Sequence, residues 1–178
     1  MLIPPSRLIL IASLSLSACS GGESDTAPRA APVKLPCDLL TAQDIQQVTG
    51  HEMQPGEAKQ KHYCAFSSVE KGNFDQPKYA WRLQYLHHAL PLAQAVEAYH
   101  KRMRESLGND ANSYITKAVP GVGDQAFWEG FPGVTYLVVF KSAGTGASDF
   151  ISLQTEFTDE AKALDESKAL ALRALKRL

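Results

Sequence analysis

Between Tyr79 and Tyr85 apolar and polar side chains alternate without a slip. Tyr79, Trp81, Leu83 and Tyr85 share one face, and Lys78, Ala80, Arg82 and Gln84 the other, the two-residue period of a half-buried strand. From Leu92 the period changes. Leu92, Val96, Tyr99 and Met103 recur at steps of four, three and four opposite Glu97, Lys101, Arg104 and Glu105, which predicts an amphipathic helix ending at Gly108. An earlier helix is framed by Thr41 as N-cap, Asp44 as its capping-box partner, Leu40 stapled onto Ile45, and Gly50 at the C-terminus. A short strand is expected over 63–69. Further strands are expected over 125–129 and 134–141, flanking the turn Gly130-Phe131-Pro132-Gly133, and over 150–157. In the last of these Ile151, Leu153, Thr155 and Phe157 alternate with Ser152, Gln154 and Glu156. A closing helix begins near Asp159, with acids at its start and Arg173, Lys176 and Arg177 at its end, as the helix dipole favours.

Strands joined by short loops favour an antiparallel sheet, so the expected class is α+β: two layers, the helices packed on one face of the sheet. If those helices take the Trp81 face, then Arg82, Gln84, Ser152, Gln154 and Glu156 form an opposite, polar face. That face is one candidate binding surface. Phe131 at its turn is the other, an aromatic that either folds back onto the core or meets a partner.

The N-terminus carries a different signal. Arg7 precedes eleven apolar and small residues, Leu8 to Ala18, against roughly 20 needed for a membrane-spanning helix. The run fits a secretory signal. Leu16-Ser17-Ala18-Cys19 at its end resembles the lipobox of bacterial lipoproteins. The resemblance implies that residues 1–18 are removed and that Cys19 is acylated, anchoring the chain to a membrane. An ordinary cleaved signal with a coincidental cysteine is the competing reading. Ser20 in place of Asp implies, in a Gram-negative cell, the outer membrane and its periplasmic side; in any other cell it implies the outer face of the cell membrane. Residues 19–36, rich in Gly, Pro, Ser and Ala, read as a lipidated tether that cannot bury enough surface to fold. The domain proper is then 37–178. With Cys19 assigned to lipid, Cys37 and Cys64 remain, and in an oxidising compartment the pair reads as one disulfide. A metal pair or a redox dithiol is the alternative; no Cys-x-x-Cys and no histidine at finger spacing speaks for either.

Composition narrows the chemistry. The chain has 18 Lys plus Arg against 19 Asp plus Glu, so no basic stripe marks a nucleic-acid binder and no polybasic patch marks an electrostatic membrane contact. Gly121-x-Gly123 lacks the third glycine of a dinucleotide site, and Gly144-Thr145-Gly146 lacks the Gly-Lys-Ser/Thr of a phosphate loop. No nucleophile elbow is present. His87 and His88, adjacent at a strand end, point to opposite faces and share no metal without a bend. No catalytic residue, metal or cofactor is expected.

Cys37-Asp38-Leu39-Leu40-Thr41, a helix closed by Gly50, Cys64-Ala65-Phe66, and Val119-Pro120-Gly121-Val122-Gly123-Asp124-Gln125-Ala126 stand in a recognisable order. This order resembles a group of small bacterial envelope lipoproteins, well represented in actinobacteria, whose shared domain has no assigned function. The resemblance implies a disulfide-stapled α+β lipoprotein domain and supplies no catalytic residues. The expected activity is non-catalytic binding of another envelope component, such as a partner protein. The alternative is a carrier of lipid or a small molecule in a cavity between helices and sheet, lined by Trp81, Tyr85 and Tyr99.

Overall fold

The capping signals at Thr41 act as the sequence predicts. The Thr41 hydroxyl accepts from the Asp44 amide, and the Asp44 carboxylate accepts from the Thr41 amide at 2.8 Å. Helix α2 (Ala42–Thr49) starts there and stops where Gly50 turns to a positive φ of 77°, a conformation cheap for glycine alone. The computed structural model describes residues 34–132, 134–155 and 159–178, side chains at 109, 111 and 112 excepted. The signal segment 1–18, Cys19, the tether up to residue 33, and Glu156 lie outside the described residues.

Among the described residues the chain forms α1 (Pro36–Leu39), α2, β1 (Glu57–Ala58), β2 (Tyr63–Ser67), β3 (Ala80–His88), α3 (Leu92–Leu107), β4 (Ile115–Ala118), β5 (Gln125–Phe131), β6 (Val134–Ser142), β7 (Ser148–Thr155) and α4 (Glu160–Leu175). The strands make one antiparallel sheet in the order β1-β2-β3-β7-β6-β5-β4. Two meanders therefore meet in its middle. The first runs inward from β1 to β3, α3 crosses to the far edge, and the second runs back inward from β4 to β7. The α+β class, the antiparallel sheet and the single disulfide are as expected. The short strands β1 and β4 go beyond the sequence reading, because neither carries enough alternation to announce itself.

On one face Trp81, Leu83, Trp128, Leu137, Ile151 and Leu153 pack beneath Leu39 of α1, Ile45 of α2, and Ala163, Leu170, Ala171 and Ala174 of α4, all buried. Three helices thus take the Trp81 face. The fourth corrects the one-face arrangement: α3 lies on the opposite face, where Ala95, Val96 and Tyr99 meet Leu86, Phe127, Val138, Phe140 and Phe150. Its physical reason is the run Leu137-Val138-Val139-Phe140. Consecutive apolar residues in a strand put apolar surface on both faces, and α3 covers the second.

The Cys37–Cys64 disulfide joins α1 to β2 across a separation of 27 residues. Lys34, upstream of the expected boundary, donates from Nζ to the Leu178 carbonyl oxygen at 2.7 Å and to that of Arg177, so contacts with the domain reach a few residues before Cys37.

Gly123, in the Val-Pro-Gly-Val-Gly-Asp segment, has φ +60°, and a Cβ there would come within 2.6 Å of Val139 Cγ1 and 2.7 Å of the Phe140 carbonyl oxygen. The loop lies directly on β6, and only glycine fits. Gly123→Ala is expected to cost about 2–3 kcal/mol, through both the conformation and the clash. Thermal unfolding checks this; a loss within about 0.5 kcal/mol, the range of ordinary surface changes, would contradict it.

Candidate functional site

The face that carries α3 is covered at one end only, and the strand registers show why. One lateral row is Leu86–Phe150–Phe140, apolar and beneath α3. The next is Tyr63–Gln84–Ser152–Val138, and the one after it is Ala65–Arg82–Gln154–Tyr136. Apolar character fades along this face within four residues of each strand, so nothing there draws a helix down. A groove of about 660 Å³ remains, lined by these latter rows, Val138 excepted, together with Lys59, Gln60 and Ser67.

Arg82 is exposed on this face, Gln84 and Gln154 are half-buried, and Ser152 is buried at the floor. Arg82 makes no ion pair with any described residue. Lys59 at the rim is paired with Glu57 at 2.5 Å. No Asp or Glu among the described residues lines the groove. Its donors are a guanidinium, an ammonium, side-chain amides and hydroxyls, flanked by the rings of Tyr63 and Tyr136. Such a surface suits an extended chain carrying acidic groups, because an exposed guanidinium forms two parallel hydrogen bonds to a carboxylate.

Four of the expected surface residues, Arg82, Gln84, Ser152 and Gln154, are therefore brought together; the fifth, Glu156, lies outside the described residues. Phe131 is not among them. It is half-buried on β5, with its ring edge against Tyr114 at a centroid distance of 5.3 Å, and it does not line the groove. Trp81, Tyr85 and Tyr99 do not form one cavity, since Trp81 and Tyr85 lie under α1, α2 and α4 and Tyr99 lies on α3 across the sheet.

No family model, curated protein or solved structure matches the chain. No helix among the described residues is long and apolar enough to cross a membrane, and no three His, Cys, Asp or Glu side chains among them are placed to hold a metal ion.

Polar clusters that the sequence reading passed over lie elsewhere. Asp149 Oδ1 accepts from the Tyr85 hydroxyl at 2.9 Å and lies 2.9 Å from His87 Nδ1. Burial, and then this bond, push the Tyr85 hydroxyl up to about 12. The cluster ties β3 to β7 through its side chains. His88 points to the other face, with its ring edge toward Phe150. Glu129 is buried beneath the end of α3, where its Oε2 accepts from the Tyr114 hydroxyl at 3.0 Å. Phe74, at the tip of the β2–β3 connection, is 95% exposed. Glu129 meets Tyr114 across 15 residues and Asp149 meets His87 across 62 only once the strands have paired; no local spacing signals either.

Proposed function

We propose that the protein is a lipid-anchored envelope lipoprotein, held through Cys19 on the outer membrane or, in a cell without one, on the outer face of the cell membrane. It binds without catalysis a partner protein that presents an acidic segment to the groove between β1–β3, β7 and β6. The observation that carries the reading is the uncovered polar end of the sheet where, among the described residues, Arg82 is unpaired and no acid lines the groove. The lipobox-like Leu16-Ser17-Ala18-Cys19 and the likeness to envelope lipoproteins support the address. A disulfide between Cys37 and Cys64 accords with an oxidising compartment.

The test uses the acylated, full-length protein, captured from crosslinked membranes. Cys19→Ser is expected to leave the membrane fraction and lose lipid labelling, while wild type keeps both. Arg82→Glu is expected to lower recovery of a defined partner at least about tenfold, since like charges set against each other in a contact cost several kcal/mol. Undiminished recovery with Arg82→Glu would remove the groove from the reading. Recovery of an anionic glycan in place of a protein would replace the partner class.

A further inference from the structure

A second cavity lies where α3 ends over the edge strands. It measures about 360 Å³ and is walled by His100, Met103, Leu107, Tyr114, Phe127 and Glu129, with Thr116 and Arg104 at its margin. That volume falls in the range of small-molecule sites, which combine apolar walls with a few fixed polar groups. Here the fixed polar group is Glu129, 1% exposed. Its Oε2 accepts from the Tyr114 hydroxyl, and its Oε1 is buried with no hydrogen-bond partner among the described residues. Burial pushes the carboxyl above its usual range, against the opposing influence of the Tyr114 bond and the nearby Tyr99 hydroxyl, and no cation among the described residues pairs with it. Neither protonation state completes the site. An ionised Oε1 lacks a donor, and a protonated one lacks an acceptor. A buried polar atom left so costs about 1–3 kcal/mol, more when charged.

We propose that this pocket binds a small organic amine, its ammonium donating to Glu129 Oε1 and its apolar body lying among Phe127, Met103 and Leu107. An ammonium supplies both the missing donor and the missing charge. The rings of Tyr114 and Phe127 add faces of the kind that attract cations. The His100 ring stands edge-on to Phe127 at 4.6 Å; burial and the nearby Arg104 hold its basicity down, so it presents a neutral wall. Arg104 is exposed at the mouth, where water screens its repulsion of the incoming cation. The site is on the α3 half of the sheet, separate from the groove, and does not depend on the groove's role.

The test is a titration of the full-length protein with phenethylamine, read by the ¹³C-methyl NMR signals of Met103 and Leu107, beside 2-phenylethanol as the uncharged counterpart. Wild type is expected to show saturable shifts with the amine. The alcohol, and the amine with Glu129→Gln, are each expected to bind about tenfold more weakly or worse, as loss of a charge-assisted hydrogen bond implies. Thr116→Trp, an exposed edge-strand change that fills the margin, is expected to abolish the shifts, and it decides the matter if Glu129→Gln fails to fold. Absence of saturation through the millimolar range would overturn the proposal, as would equal affinity for amine and alcohol or unchanged binding with Thr116→Trp.

Discussion

Replacing Cys37 and Cys64 together with alanine is expected to lower the stability of the domain by about 3–4 kcal/mol, the chain-entropy cost of reopening a loop of roughly that length. The bridge ties α1 to β2 near the sheet edge, and the two cysteines are 27 residues apart in sequence. Without it, the unfolded chain gains freedom while the native contacts of Leu39, Leu40 and Phe66 remain. Urea unfolding of oxidised wild type and the double variant checks this, with a lower midpoint and a slightly steeper slope, because the open chain exposes more surface on unfolding. A loss below about 1 kcal/mol would mean that packing alone holds α1 in place.

The second large effect belongs to Asp44. Its carboxylate closes the capping box of α2 and also accepts from both Arg177 guanidinium nitrogens at 2.6 and 3.0 Å and from Arg173 at 3.3 Å. One buried acid therefore joins α2 to α4. Burial by itself would raise its pKa, but the hydrogen bonds from Arg177 and Thr41 outweigh burial and hold it well below the usual carboxylate range. Because its proton is lost more readily in the folded state, its stabilisation is complete above the unfolded value of about 3.9 and drains away as pH falls below that. Asp44→Asn is expected to cost about 2–4 kcal/mol at neutral pH, with the arginines' partial exposure keeping it below the cost of a fully buried pair. The melting temperature should fall by roughly 10 °C. It should also flatten the acid limb of the stability curve between about pH 4 and 2. An unchanged acid limb would show that other carboxylates govern acid unfolding.

What was legible in the sequence follows from how local each signal is. The cap at Thr41, the alternation from Tyr79 to Tyr85 and the three-four spacing of α3 are short-range patterns, and each became the element it predicts. The placement of α3 was not legible from its own residues, since an apolar stripe does not say which sheet face it will meet. The two-faced run Leu137-Val138-Val139-Phe140 carried that information in β6. The groove was legible as a set, because Arg82, Gln84, Ser152 and Gln154 occupy successive positions on one face of adjacent strands. Phe131 was not, because its contact with Tyr114 spans the β4–β5 pairing. The buried Glu129 was hidden for the same reason: a lone acid in a strand reads as surface until the helix above it is placed.

The most direct test of the groove as a docking surface is a photocrosslinking scan in intact membranes, with a crosslinking side chain placed in turn at Gln84, Gln154, Gln43 and Lys101. Gln84 and Gln154 line the groove, whereas Gln43 is exposed on α2 and Lys101 on α3. The prediction is that Gln84 and Gln154 join the same acidic segment of one partner protein and the other two do not. Equal crosslinking from Gln43 or Lys101, or none from the groove positions, would contradict it.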